Sequence, residues 1–174
     1  AVEVPQILAD DQQLNLVACS DPAVLADIYE PKTNIAIWQR SLSERLKCLV
    51  GEFVASRKQP YTSVICTPVG ARPQLLKEFG SSDFSTLVDD ANELIDMFCC
   101  LFDLDQVGLR MTVLREAMCP KFHVDQVPCR LVTTYSGIGT QWLPNNSVNR
   151  EKLGYGSAGL SDHESGLYGN ESDI

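Results

Sequence analysis

The hydrophobic periodicity of the chain changes near Asp105, and this change limits the folds that the sequence can adopt. From Ser82 to Phe102 apolar residues recur every three or four positions, the spacing of one buried face of a helix. From Val107 onward apolar residues alternate with polar or small ones, which is the period of a strand. Helices followed by strands indicate an α+β fold, in which a helical layer packs on an antiparallel sheet.

Shorter elements are predicted from local signals. Asp21 before Pro22 predicts a helix start, because aspartate is a good N-cap and proline suits the first helical position. The run Ser41–Glu44 has the form of a capping box that opens a second helix. Strands are predicted at Asn34–Gln39, Tyr61–Thr67 and Cys129–Tyr135.

The length of the chain and a change in its composition near Pro144 predict the domain organisation. With 174 residues the chain can bury one sizeable core. We expect a single α+β domain over residues 1–143. Residues 144–174 are polar, rich in Gly, Ser and Asn, and without apolar periodicity, which predicts a polar loop or flexible tail.

Charge and cysteine content exclude several classes of partner. The net charge of -9 disfavours nucleic acid and anionic membrane surfaces, both of which need clustered Lys and Arg. No apolar run approaches the roughly 20 residues of a membrane-spanning helix.

The cysteine content and the N-terminal residues indicate the expected location. Seven cysteines are an odd number, which is not typical of a secreted disulfide scaffold, and the first residues do not resemble a signal peptide. A reducing cytoplasm is therefore the expected location.

The segment richest in potential metal ligands is Cys119-Pro-Lys-Phe-His-Val-Asp125. It contains one of only two histidines, and on a strand His123 and Asp125 would project from the same face. An imidazole and a carboxylate supply two of the three ligands that hold non-haem Fe(II). Two alternatives stay open at this point: an ordinary surface pair, or a zinc site in which Cys119 and Cys129 join them.

The block from Cys119 to Leu143 resembles the signature of a bacterial family catalogued as domain of unknown function 1826. The segments Asn34–Arg40 and Lys152–Ser157 resemble further landmarks of that family. The resemblance extends from about Ile28 to Tyr168.

The family is remotely similar to the double-stranded β-helix, or cupin-like, oxygenases that use Fe(II) and 2-oxoglutarate. The resemblance implies that the N-terminal helices pack on a partly formed double-stranded β-helix. It implies that His123 and Asp125 match the first two iron ligands, and that Arg130 and Tyr135 are candidates for a substrate or cosubstrate pocket. Arg130 and Tyr135 would point to opposite faces of a regular strand. Some members are encoded near zinc-homeostasis genes, so a non-catalytic zinc-binding protein is the alternative function.

The third iron ligand of such oxygenases is a distal histidine, and this chain departs from that pattern. The only later histidine is His163, which lies in a polar segment with no Arg or Lys after it. We therefore expect an oxygenase-like protein with an incomplete site and an unidentified small-molecule substrate, and we assign no catalytic residue. Residues 144–174 would then be the start of a missing C-terminal part of the barrel, unless His163 completes the site from a loop.

Overall fold

The computed structural model describes residues 15–56, 61–80 and 82–174. Within these ranges helices and strands occupy the first two thirds of the chain, and short 3₁₀ turns follow near the C-terminal end. In chain order the strands and α-helices are β1 Asn15–Cys19, β2 Thr33–Trp38, α1 Glu44–Ser56, β3 Tyr61–Cys66, α2 Pro68–Phe79, α3 Ser85–Phe102 and β4 Val107–Thr112. The 3₁₀ helices are Pro22–Tyr29, Ser82–Phe84, Arg150–Lys152, Gly154–Ser157 and Glu171–Asp173.

Strands β1 and β2 form a parallel pair, which is joined by the 3₁₀ helix Pro22–Tyr29. The predicted helix start at Asp21 is confirmed, because its carboxylate accepts a hydrogen bond from the N–H of Ala23 at 2.9 Å. The indole N–H of Trp38 donates to the carbonyl of Ser20 at 3.0 Å. This bond links the last residue of β2 to the residue that follows β1, and it thereby holds the end of β2 in place.

Strands β3 and β4 form an antiparallel pair that packs with α1, α2 and α3 around the main core. Val64 pairs with Leu109 in the register, and both are packed against that core. The ring of Phe53 lies 4.8 Å from that of Phe79, measured between centroids. Burial of large side chains such as Leu75 and Phe79 provides the main stabilisation, at about 1.5–3 kcal/mol for each fully buried residue.

Helix α2 is not predicted by the sequence pattern, although its end signals are present. The hydroxyl of Thr67 accepts a hydrogen bond from the N–H of Gly70, and Pro68 occupies the first turn. Gly80 ends the helix with a left-handed backbone, φ 67°. The apolar stripe of α2 is too sparse to identify it by periodicity, and burial of its inner face by α3 and β3 stabilises it instead.

The predicted strand at Cys129–Tyr135 is wrong: this segment is irregular, as is the chain that carries His123. Pro120 and Pro128 each lack a backbone N–H for a ladder. Side-chain bonds attach this part of the chain to other elements. The mixed helix-and-strand class is confirmed, as are the strands near Asn34, Tyr61 and Val107. The described strands form two separate two-stranded sheets, and the double-stranded β-helix stays a prediction.

In the three described ranges, no helix is both long and apolar enough to cross a membrane.

Candidate functional site

His123 and Asp125 lie side by side on the surface, although the segment that carries them is not a strand. The Nε2 atom of His123 is 3.5 Å from Oδ1 of Asp125. The two side chains are 50% and 36% exposed, respectively. The pairing predicted from the sequence is therefore present, and it is open to solvent.

A backbone bond determines which nitrogen of His123 faces the carboxylate. The Nδ1 atom lies 3.0 Å from the carbonyl oxygen of Lys121. A carbonyl oxygen can only accept, so Nδ1 must carry the proton of this bond, and Nε2 of the neutral ring then presents a lone pair to Asp125. A lone pair facing a carboxylate is stabilised by a cation between the two groups, either a second proton on the ring or a metal ion. The same Nδ1–H to carbonyl bond orients histidine ligands in metal sites.

Arg130 joins this pair through the other carboxylate oxygen. Its Nε lies 3.2 Å from Oδ2 of Asp125, and its side chain is 54% exposed. His123, Asp125 and Arg130 therefore form one cluster, which we call the His–Asp–Arg cluster. Asp125 is its centre, because each of its oxygens faces a different neighbour.

Tyr135, the fourth residue predicted from the sequence, contacts a different group. Its hydroxyl donates to Oδ2 of Asp90 on α3 at 2.6 Å. The guanidinium of Arg40 donates to both oxygens of Asp90, at 2.9 and 2.8 Å, and its Nη2 lies 3.3 Å from the hydroxyl of Thr133. Arg40 also lies over the rings of Trp38 and Tyr135, at 5.4 and 5.5 Å from their centroids. We call these residues the Arg40–Asp90 network.

The pKa values of Tyr135 and Arg40 are both raised in this network. Burial raises the pKa of the Tyr135 phenol above its usual range, and the bond to Asp90 and its negative charge raise it further, against the opposing effect of Arg40. For Arg40 burial lowers the pKa, but the hydrogen bonds and charge of Asp90 outweigh this, and the net pKa is raised. Both side chains therefore stay protonated at neutral pH, as donors to one carboxylate.

A cleft of about 470 Å³ opens beside the Arg40–Asp90 network. Its lining includes Trp38, Arg40, Ser43, Asp89 and Glu93. Sequence reasoning did not single out Arg40 or Asp90 as functional residues. The one available signal was that Arg40 ends a segment resembling a landmark of the family, whereas Asp90 looks like any polar residue of a helix.

The C-terminal segment is attached next to His123. The ammonium of Lys121 donates to the carbonyl of Leu160 at 2.6 Å, and the N–H of Phe122 donates to Oδ2 of Asp162 at 2.7 Å. The ring of Phe122 lies 5.9 Å from that of Tyr168, which lies 5.9 Å from the imidazole of His163. His123 and His163 therefore each follow directly in sequence one of the two residues, Phe122 and Asp162, that form this hydrogen bond.

The donor set around His123 fits two positions of a metal site. Among the residues described, no group of three or more His, Cys, Asp or Glu side chains is arranged to hold a metal ion. The zinc alternative, with Cys119 and Cys129 as additional ligands, is therefore not assembled in this part of the chain. Cys119 is exposed and Cys129 is half-buried.

The fold mixes helices and strands, and it carries a solvent-open histidine–aspartate pair beside an arginine. The chain belongs to the family described as Protein of unknown function (DUF1826), whose model matches residues 19–173. This confirms the family predicted from the Cys119–Leu143 block. A search of curated proteins and a search of solved structures found no match.

Proposed function

We propose that this protein binds a divalent metal ion through Nε2 of His123 and a carboxylate oxygen of Asp125. The observation that carries the proposal is the orientation of His123: its Nδ1 is engaged by a carbonyl, so that Nε2 and Oδ1 of Asp125 face each other at 3.5 Å. Two donor atoms that are each about 2.1 Å from one ion, at about 90–110° to each other, lie about 3.0–3.4 Å apart. The observed separation is close to this range, so a small movement would suffice.

Fe(II) with 2-oxoglutarate is the chemistry we propose to test first. A histidine and an aspartate with open positions are the donors of non-haem iron sites, and bound iron would supply oxygen activation. His123 and Asp125 would hold the metal, and Arg130, which contacts Asp125 at 3.2 Å, would bind a carboxylate of the cosubstrate. A double-stranded β-helix, a small-molecule substrate and a cytoplasmic location belong to the same proposal.

His163 is the candidate for a third ligand. What supports it is that Asp162, the residue before His163, accepts a hydrogen bond from the N–H of Phe122, the residue before His123. A loop ligand of this kind would need to turn toward the pair when the metal binds.

Calorimetric titration with Mn(II), in place of oxygen-sensitive Fe(II), tests the metal site. His123→Ala and Asp125→Ala should each weaken binding by at least about tenfold, since each removes a ligand. His163→Ala should weaken it only if His163 is the third ligand. Asp27→Ala, which removes an exposed carboxylate elsewhere, is the control. Equal affinity of the wild type, His123→Ala and Asp125→Ala would refute the proposal.

Zinc binding without catalysis is the alternative, because imidazole and carboxylate groups also suit zinc. It predicts that zinc stays with the purified protein. It also requires that the thiols of Cys119 and Cys129 move toward the pair when zinc binds, so that Cys119→Ser and Cys129→Ser release the metal. The iron proposal predicts instead that both cysteine variants keep the affinity for Mn(II). Metal analysis of the wild type and these two variants separates the alternatives.

A further inference from the structure

Among the residues that the structure describes, His123 and Arg130 lie against the carboxylate of Asp125, and each faces a different oxygen. His123 faces Oδ1 at 3.5 Å, and the guanidinium of Arg130 contacts Oδ2 at 3.2 Å. A guanidinium at this distance neutralises part of the carboxylate charge, and it also places a positive charge beside any cation bound at Oδ1. Both effects oppose the binding of a metal ion.

We infer that Arg130 competes with the metal ion for the Asp125 carboxylate, and that an organic carboxylate which binds Arg130 raises the metal affinity. The inference rests on the metal site proposed above and adds its regulation. Arg130 is 54% exposed, so its side chain can turn from Asp125 to an anion in solution. The planar guanidinium matches a carboxylate through paired N–H donors. By linkage, the metal must raise the affinity for the anion by the same factor.

The ligand class follows from the position of Arg130. One end of the anion must be a carboxylate that pairs with the guanidinium, and a second oxygen donor could then reach the open positions of a metal at Asp125. Dicarboxylates meet both requirements. 2-Oxoglutarate and glutarate have the same five-carbon chain and differ only in the keto oxygen, so a comparison of the two separates relief of competition from added chelation.

The expected effects are modest, because the Arg130–Asp125 pair is partly exposed and screened by solvent. Removal of the arginine charge should tighten metal binding about two- to fivefold, which corresponds to the worth of an exposed ion pair. An increase in metal affinity on removal of a side chain would be unusual, since loss of a residue at a binding site ordinarily weakens binding. A residue that only contacts the cosubstrate would leave the affinity for the metal alone unchanged.

The test is titration of Mn(II) into the wild type, Arg130→Gln and Arg130→Lys, each alone, with glutarate and with 2-oxoglutarate. Arg130→Gln should bind Mn(II) more tightly than the wild type and lose the effect of glutarate, whereas Arg130→Lys should retain the competition. Arg72→Gln is the matched control, because Arg72 also pairs with an aspartate, Asp89, at similar exposure.

Unchanged or weaker Mn(II) binding by Arg130→Gln, while His123→Ala and Asp125→Ala lose it, would overturn the inference and leave the metal site standing. Absence of Mn(II) binding by the wild type would overturn both. Tightening by 2-oxoglutarate but not by glutarate would show that chelation acts alone, and this also overturns the inference.

Discussion

Arg40 and Asp90 form a two-point ion pair that joins the chain after β2 to the second turn of α3. The two guanidinium nitrogens donate to the two carboxylate oxygens at 2.9 and 2.8 Å. Their side chains are 14% and 16% exposed, so the pair is largely removed from water. The hydroxyl of Tyr135 donates to the same carboxylate, which brings the irregular segment near Arg130 against the helical layer.

Loss of the Asp90 charge should destabilise the fold. Asp90→Asn leaves Arg40 partly buried without its counter-ion, and we expect a loss of about 2–4 kcal/mol in the free energy of unfolding by urea. Asp89→Asn is the matched control. Asp89 pairs with Arg72, but both side chains are about half exposed, and the expected loss is about 0–1 kcal/mol. Similar losses of unfolding free energy in both variants would show that the buried Arg40–Asp90 pair stabilises the fold no more than the exposed Arg72–Asp89 pair does.

Stability should fall in alkali through Tyr135. The pKa of this phenol is raised in the folded state by burial and by Asp90, so the folded protein holds the proton more tightly than the unfolded chain. Its contribution is complete below the unfolded pKa of about 10 and declines as the pH rises toward the folded pKa.

Urea unfolding at pH 8 and at pH 11 measures this effect. The stability difference between the wild type and Tyr135→Phe should shrink at the higher pH, because only the wild type loses the contribution of the phenol. Tyr155→Phe is the control, since that ring is fully exposed. A difference that is constant with pH would contradict the prediction.

The cysteines should divide by burial in their reaction with iodoacetamide. Burial raises the pKa of the Cys66 and Cys99 thiols, which lowers the thiolate fraction at a given pH. Four thiols are exposed and should be alkylated first, namely Cys19, Cys48, Cys100 and Cys119. Cys66 and Cys99 should react only after denaturant is added, and any native-state labelling should increase with pH. Mass spectrometry identifies the sites, and early modification of Cys99 would contradict its position in the core.

Gly156 should be essential for the packing of the C-terminal segment. A Cβ at this position would overlap the carbonyl oxygen of Glu151, so Gly156→Ala must displace the 3₁₀ turn that contains it. Gly169→Ala is the control, because open space surrounds that position. We expect Gly156→Ala to cost about 1–3 kcal/mol locally and to speed cleavage by trypsin at Arg150 and Lys152. Equal cleavage rates for the two variants would rule this out.

The His–Asp pair shows how far a local pattern can predict a site. The spacing of His123 and Asp125 predicted that their side chains lie together, and they do. The reason assumed for it, a strand, was wrong. Two side chains separated by one residue can meet in several extended conformations, so the contact did not depend on a regular ladder.

Helix α3 and the strand after it were predictable from the chain alone, because their signals are local periodicities of apolar residues. The family was likewise predictable, since it depends on the order of residues in one block. The partners of Asp90 were decided only in three dimensions: Arg40, Asp90 and Tyr135 lie far apart in the chain and meet through the packing of α3. Charge pairing of this kind produces no periodic pattern in the sequence, because it depends on where the fold places each side chain and on how far the fold excludes water.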